Sequence, residues 1–382
     1  MKVLHFGRYY TRNFGGTERH VRTLLDCLQH HVHVADVVAN ETCRTEVVRR
    51  GGYDIHKIAS IGTIAGTTLC PTMPSYVLNL HERERYDIFH LHFPDPMSHL
   101  AYAFLPSQVK LVITWHSDII RQKRLLALYQ PFLNRIVARA DALIAATPRH
   151  FSSSTQMYAC QDQRRMHVVP YGIDLACFGR TDETMQGAQR LREKYQGKKI
   201  IFALGRHVYY KGFDYLIQAM QKVADDAILL LGGCGPKTLE LKQLAHQFGV
   251  TEKVVFLGRI PDEELPRYYH GCEIFCMPSV EPSEAFGLVQ LEAMACGKPV
   301  VCCELNNGVT YVTRSDKTGL VVPPRNPEAL ARAINNLLAD EQKRIAFGNE
   351  AYERVCQEFT LQRMTEGTLA VYKTVLGRKN TS

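Results

Sequence analysis

At 382 residues the chain is too long for one ordinary core, so two domains are expected. A composition of 46% hydrophobic and 22% charged residues is that of a globular protein, and no apolar run approaches the ~18–20 residues that span a bilayer. The net charge of +8 is uneven, with 21 basic against 14 acidic residues in 1–180 and 25 against 24 afterwards; the basic half suits phosphate or anionic lipid, and nucleic acid is not expected as a partner.

"KVLHFG" (2–7) reads as a buried strand, followed by a loop ending in Gly15–Gly16 and the helical pattern "TERHVRTLLDCLQ". Short apolar strands then recur between helical stretches: "HVADVVA", "DIFHLHF", "KLVITWH", "DALIAAT" and "MHVVPYG". The segment 117–141 reads as a helix in which Arg121, Lys123, Arg124, Arg135 and Arg139 interleave with Leu, Ile and Phe, a pattern of a helix packed on a sheet or of one meeting anionic lipid. The plan restarts after a polar stretch at 175–197 with "KKIIFALGR" (198–206), then "GFDYLIQAMQKV", "AILLLGGCG", "KVVFLGR", "EIFCMPS" and "KPVVCC". This alternation predicts an α/β fold of two doubly wound, Rossmann-like domains, 1–178 and 179–359, with a C-terminal helix at about 360–378 packing back on the first. Two such domains facing each other would leave a ligand cleft at the carboxyl ends of their strands. Twelve cysteines without C-x-x-C pairs offer no zinc site and read as reduced core residues.

Gly15–Gly16 lie between a strand and a helix, where a phosphate can approach backbone N–H groups, but "RYYTRNFGGTERH" is not the G-x-G-x-x-G of a nicotinamide enzyme. Arg206 and Lys211 stand five apart on a strand-to-helix loop, a fork and a point charge able to neutralise a diphosphate. In "VEPSEAFGLVQLEAMACGKPVV" Gly287 opens a helix, so the N–H groups of Phe286, Gly287 and Leu288 form a seat for negative charge. Glu284 precedes that seat and Glu292 lies about 7 Å beyond Gly287 along the helix at ~1.5 Å per residue. Carboxylates accept hydrogen bonds from vicinal hydroxyls, and a sugar nucleotide carries diols at both ends of its diphosphate. His116 and His92 end strands on the same side, the second expected to be structural.

These motifs, in this order, resemble the family 4 glycosyltransferases, retaining enzymes of the GT-B fold. "GGTERH", "TWHSD", "VVPYGID", "GR…KG", "LLLGGCGP", "VVFLGRI" and the E-x7-E of "EAFGLVQLE" carry the resemblance over essentially the whole chain. It implies that Arg206 and Lys211 hold the donor diphosphate, Glu284 the donor sugar and Glu292 the ribose. The backbone of Phe286–Leu288 would meet sugar and phosphate, that of Ile260 the base, Gly15–Gly16 the phosphate, and His116 would lie beside the transferred sugar. Thr310 stands where the family often has an acid, and Glu281 adds a third carboxylate.

The absence of a D-x-D motif points to metal-independent chemistry with no cofactor, in which the cations and the helix end stabilise the leaving group. The resemblance implies transfer of a hexose from a nucleoside-diphosphate sugar, GDP-mannose first among the candidates and a UDP-hexose or UDP-HexNAc next. The acceptor would be a glycan, lipid-linked in bacterial surface polysaccharide synthesis, met by an enzyme in the cytoplasm or on the inner membrane face. A nucleotide-sugar epimerase and a non-catalytic sugar-nucleotide binder are the rival readings.

Overall fold

The structure, a computed structural model, describes residues 1–9, 15–106, 108–120, 122–157, 159–160 and 162–378, and the side chains of Arg8, Tyr9 and Lys123 are not among what it describes. Arg121, predicted above on a basic helix, also lies outside the described residues. The chain forms two units, one of residues 1–172 with 361–382 and one of 173–360. The division falls six residues before 178 because Ile173 already belongs with the second unit: its N–H donates to Phe359 O at 3.0 Å.

The first unit runs β1 (Lys2–Tyr9), α1 (Gly16–Leu28), β2 (His33–Ala39), β3 (Glu46–Arg50), β4 (Tyr53–Ile58), the small pair β5 (Thr63–Ile64) and β6 (Thr67–Thr68), and α2 (Met73–Glu84). It continues through β7 (Ile88–Phe93), α3 (Pro96–Ala103), β8 (Lys110–Trp115), α4 (Lys123–Arg139), β9 (Ala142–Ala145), α5 (Pro148–Ser153) and β10 (Met166–Val168). Its main sheet has the order β10-β9-β8-β7-β1-β2-β4-β3. All pairs are parallel except β3 with β4, a hairpin closed at Gly51–Gly52.

Strand alternation sends successive side chains to opposite faces. Leu4, Phe89, Leu111 and Ile113 join Val77 and Leu80 of α2 and Leu133, Ile136 and Val137 of α4 in one core. Val3, Ile88 and Val112 join Val21, Leu24 and Leu25 of α1 in the other, which the C-terminal helix Leu361–Gly377 completes with Met364, Val371, Tyr372 and Val375.

The second unit runs α6 (Asp182–Lys194), β11 (Lys199–Leu204), α7 (Phe213–Ala219), β12 (Ala227–Gly232), α8 (Thr238–Gln247), β13 (Val254–Gly258), α9 (Leu265–Gly271) and β14 (Ile274–Met277). Then come α10 (Leu288–Ala295), β15 (Val300–Cys303), α11 (Gly308–Val312), β16 (Gly319–Val322), α12 (Pro327–Ala339) and α13 (Glu341–Glu358); the C-terminal helix is α14. Its sheet is β13-β12-β11-β14-β15-β16, parallel throughout. Ile201, Leu229, Ile274 and Val301 pack on α7, α8 and α12, while on the opposite face Phe202 stacks at 5.6 Å on Tyr268 and edge-on at 5.1 Å on Tyr269 of α9.

All twelve cysteines are free thiols. The expectation that they are core residues is corrected at Cys43, Cys177 and Cys234, which are exposed. Cys234 sits beyond the end of β12, where the chain has turned out of the sheet.

Candidate active site

In the second unit the chain passes from β11 outward to β12 and β13, then returns to the other side of β11 with β14. The strand order therefore reverses between β11 and β14, which is where open α/β sheets bind ligands. The loop after β11 carries Arg206 and Lys211, and the loop after β14 carries Glu284.

Two backbone features tie these loops together. Val280 N–H donates to Tyr210 O at 2.8 Å. Gly212, with φ +65°, lies so close to the second loop that an added Cβ would stand 2.1 Å from Pro278 O. Only glycine meets both conditions.

The result is a buried ion pair, Lys211 Nζ to Glu284 Oε2 at 2.6 Å, each side chain 11% exposed. Glu284 Oε2 also accepts from Ser279 Oγ at 3.0 Å, and Asn307 Nδ2 donates to the Glu284 backbone carbonyl at 2.7 Å. Burial opposes the Lys211 charge, but Glu284, Tyr210 and Glu292 outweigh it and hold the ammonium above its ordinary pKa. An ammonium has three donors, so one such pair leaves others for a ligand. Glu284 Oε1 has no hydrogen-bond partner among the described residues. The Arg206 side chain is exposed and, among the described residues, makes no hydrogen bond or ion pair.

Helix α10 begins directly after this pair. Gly287 enters it with φ +77°, where a Cβ would meet Met277 Sδ at 2.6 Å. Phe286 is buried and packs edge-on against Phe359, with Leu288 half-buried beside it. Gln290 locks the turn by donating to Phe286 O while its Oε1 accepts from Thr313 Oγ1 at 2.6 Å. Glu292 is 3% exposed and accepts from Tyr269 Oη at 2.6 Å. Ile260, following β13, packs its Cδ1 where a Cβ on Gly232 would meet it at 2.8 Å. Its backbone makes no hydrogen bond among the described residues.

Two further carboxylates have partners of their own. Glu281 is ion-paired with Arg325, and Glu304 Oε1 accepts from Thr310 Oγ1 at 2.9 Å.

In the first unit Gly15 and Gly16 are exposed, at the head of α1. The Gly15 N–H donates to Glu18 Oε2 at 3.0 Å, so this donor is held by the helix's own first turn. His116 follows β8 and is 4% exposed. Its Nδ1 is bonded to Tyr171 Oη and its Nε2 lies 3.0 Å from His92 Nδ1. His20 of α1 lies against Tyr171 with centroids 3.9 Å apart and the rings tilted by 32°. His92 was expected to be structural, and it is in direct contact with His116.

Sequence reasoning missed Ser279 and Tyr269, which orient the two glutamates, and Tyr171, His20, His5 and Tyr372 around His116. Serine and tyrosine carry no spacing signal. His90 and His92, two apart in a strand, were legible as sharing a face with each other.

Fold and site define a glycosyltransferase with two Rossmann-like units in the GT-B manner. Residues 14–176 match the family described as Glycosyltransferase Family 4, and residues 188–354 that described as Glycosyl transferases group 1. The chain is 31% identical over 366 residues to a D-rhamnosyltransferase of Pseudomonas aeruginosa, covering 94% of this chain and 92% of that one. It is 28% identical over 385 residues to the O-antigen chain mannosyltransferase C of Escherichia coli, covering 100% of each. Among solved structures, sucrose-phosphate synthase from Thermosynechococcus elongatus superposes with a TM-score of 0.81 at 23% identity, covering 98% of each chain. The protein belongs to glycosyltransferase family 4. No helix among the described residues is long and apolar enough to cross a membrane.

Proposed function

We propose that this glycosyltransferase moves a hexose, with retention and without a metal, from a nucleoside-diphosphate sugar to a glycan acceptor in bacterial surface polysaccharide synthesis. The observation that carries the reading is the Lys211–Glu284 pair at the head of α10, with Arg206 unengaged nearby. The mannosyl- and rhamnosyltransferase relatives support a mannose-type hexose as the transferred group; the donor proposed is GDP-mannose, with UDP-hexoses as the alternative.

In this reading Lys211, Arg206 and the N–H groups around Phe286–Leu288 face the diphosphate. The bond from the anomeric carbon to the diphosphate oxygen breaks with its electron pair passing to the diphosphate, whose charge these groups stabilise. The acceptor oxygen bonds to the anomeric carbon from the same face, and its proton passes to a phosphate oxygen. Glu284 Oε1 accepts from a sugar hydroxyl. Glu292, held by Tyr269, accepts from the ribose diol, and the Ile260 backbone meets the base.

The test compares Glu284→Gln with Glu292→Gln across a panel of sugar nucleotides. Glu292→Gln is expected to weaken free nucleoside diphosphate binding together with turnover, since the ribose is common to donor, product and transition state. Glu284→Gln is expected to lower turnover and spare nucleoside diphosphate affinity. Equal weakening of nucleotide binding by both removes the division of roles. An epimerised nucleotide sugar without transfer to any glycan removes the reaction itself.

A lipid-linked acceptor draws support from α4. Leu133, Ile136 and Val137 of its second half are buried, whereas in the first half Leu125 is 51% and Leu128 82% exposed beside exposed Arg124. Binding to anionic vesicles is expected to fall steeply with salt and to weaken in Arg124→Glu and Leu128→Asp. Equal binding to neutral and anionic vesicles, or none to either, excludes this surface as the docking face.

A further inference from the structure

Beneath His116 the first unit buries an unbroken file of polar rings. Thr114 Oγ1 lies 2.6 Å from His90 Nε2, and His90 Nδ1 lies 2.6 Å from Tyr372 Oη. Tyr372 Oη is 3.1 Å from His5 Nε2, His5 Nδ1 is 3.1 Å from His92 Nε2, and His92 Nδ1 is 3.0 Å from His116 Nε2. His116 Nδ1 then reaches Tyr171 Oη. Sheet register builds the file: His5 of β1 is paired with His90 of β7, His92 of β7 with Thr114 of β8, and α14 supplies Tyr372 from the face it covers.

The direction of every bond follows from counting protons. There are six links. The four imidazoles carry one N–H each if neutral, and Thr114 and Tyr372 one O–H each, making six donors before Tyr171 is counted. Burial drives the His5 pKa down to about 3 and those of His90 and His92 well below the ordinary value, which keeps them neutral. Two arrangements fill every link, one with all four imidazoles protonated on Nδ1 and one with all four on Nε2.

Thr114 decides between them. Thr114 is 2% exposed, and its hydroxyl has, among the described residues, His90 Nε2 as its one partner. Accepting there would leave a buried O–H unpaired, which is disfavoured, whereas Tyr171 at the other end has a further partner beyond the file; the Thr114 hydroxyl therefore donates. His90 must then donate from Nδ1 to Tyr372, Tyr372 to His5 Nε2, His5 from Nδ1 to His92 Nε2, and His92 from Nδ1 to His116 Nε2.

We propose that Thr114, His90, Tyr372, His5 and His92 are positioning residues, a one-way hydrogen-bond chain that holds His116 as a neutral Nδ1–H imidazole donating to Tyr171. His116 is thereby fixed in place and excluded from carrying a proton. The consequence for turnover rests on the role given to His116 above; the chain itself does not.

The same cluster invites another occupant, since His5, His90 and His92 each offer a ligand atom within 4.8 Å of the others, a possible metal triad. Its nitrogens are already committed to neighbours in sequence along the file, and the His90 and His92 rings stack at 4.6 Å and 20°.

A long-range 1H–15N correlation spectrum of the whole protein at pH 7.5, assigned with single His→Gln variants, reads each tautomer directly. The expected result is the Nδ1–H pattern at His5, His90, His92 and His116. A mixed set, an imidazolium or a stoichiometric metal retained by these rings overturns the chain.

Thr114→Val removes the donor that orients the file, so His116 is expected to populate Nε2–H beside Nδ1–H; Thr114→Ser is expected to keep Nδ1–H alone. Turnover should fall several-fold in Thr114→Val with donor KM within about twofold of wild type, and recover in Thr114→Ser. An unchanged His116 tautomer in folded Thr114→Val overturns the proposal, and if that variant does not fold the wild-type spectrum decides. A shifted tautomer population with unchanged turnover leaves the chain standing and removes the catalytic role of His116.

Discussion

Lys211→Ala is expected to lose at least ~10²-fold in turnover, the scale of removing one group that stabilises developing charge in a closed site. The structure adds a second effect that the sequence did not suggest. Lys211 is the counter-ion of Glu284 at 2.6 Å, and both are largely buried. Removing the lysine alone leaves a carboxylate supported by Ser279 without its cation, a change that costs ~3 kcal/mol or more where a buried pair is broken. Thermal unfolding must therefore accompany the assay. The double variant Lys211→Met with Glu284→Gln removes both charges, and it is expected to recover stability while remaining inactive. Near-wild-type turnover in either folded variant refutes the assignment. In the same assay wild-type turnover is expected to persist in excess chelator, and activity lost to chelator and restored by Mg²⁺ or Mn²⁺ refutes metal independence.

Acidification is expected to unfold the first unit well before the second. Burial drives His5, His20 and His99 down to about 3 and His150 to about 4, with His90 and His92 also well below the ordinary 6.5. A group with a depressed folded pKa contributes stability that is complete above its unfolded pKa and is lost as pH falls towards the folded one. The window therefore opens at about 6.5 and extends down to about 3, and within it each such imidazole removes up to ~1.4 kcal/mol per pH unit. Asp36 acts in the opposite sense. Burial raises it to about 7 against the opposing Gly7 and Val37 N–H bonds, so its contribution is present below 3.8 and lost as pH climbs through 7. One such group does not offset six. Of the second unit's imidazoles only His207 and His270 are shifted down among the described residues.

Trp115 is the sole tryptophan and is buried in the first unit, so its fluorescence reports that unit while circular dichroism reports both. From pH 7.5 to 5.5 the tryptophan midpoint is expected to fall by on the order of ten degrees. A midpoint independent of pH over that interval would show that the imidazoles are not held neutral.

How much of the site was legible depends on whether the information was local. Glu284, Gly287 and Glu292 lie on one strand–loop–helix segment, and Arg206 and Lys211 on another, so motif spacing alone placed each pair. That Glu284 and Lys211 form one ion pair was not legible. It depends on β14 returning to lie beside β11 and on Gly212 fitting under Pro278, contacts between segments some seventy residues apart. Glu292 was expected to hold a ribose; that Tyr269, from a different helix, donates to it at 2.6 Å was not legible.

The sequence by itself determined the two α/β halves and their strands, because continuous apolar runs bounded by glycine and polar turns specify buried parallel strands whatever surrounds them. It also determined which polar residues end those strands. Only the tertiary structure decided what those residues do to one another. The histidine file takes its members from β1, β7, β8 and α14, and its terminal partner Tyr171 from the loop after β10. No periodicity within one segment records which strands will be neighbours, and both the direction of a hydrogen bond and the protonation of a buried imidazole are set by those neighbours.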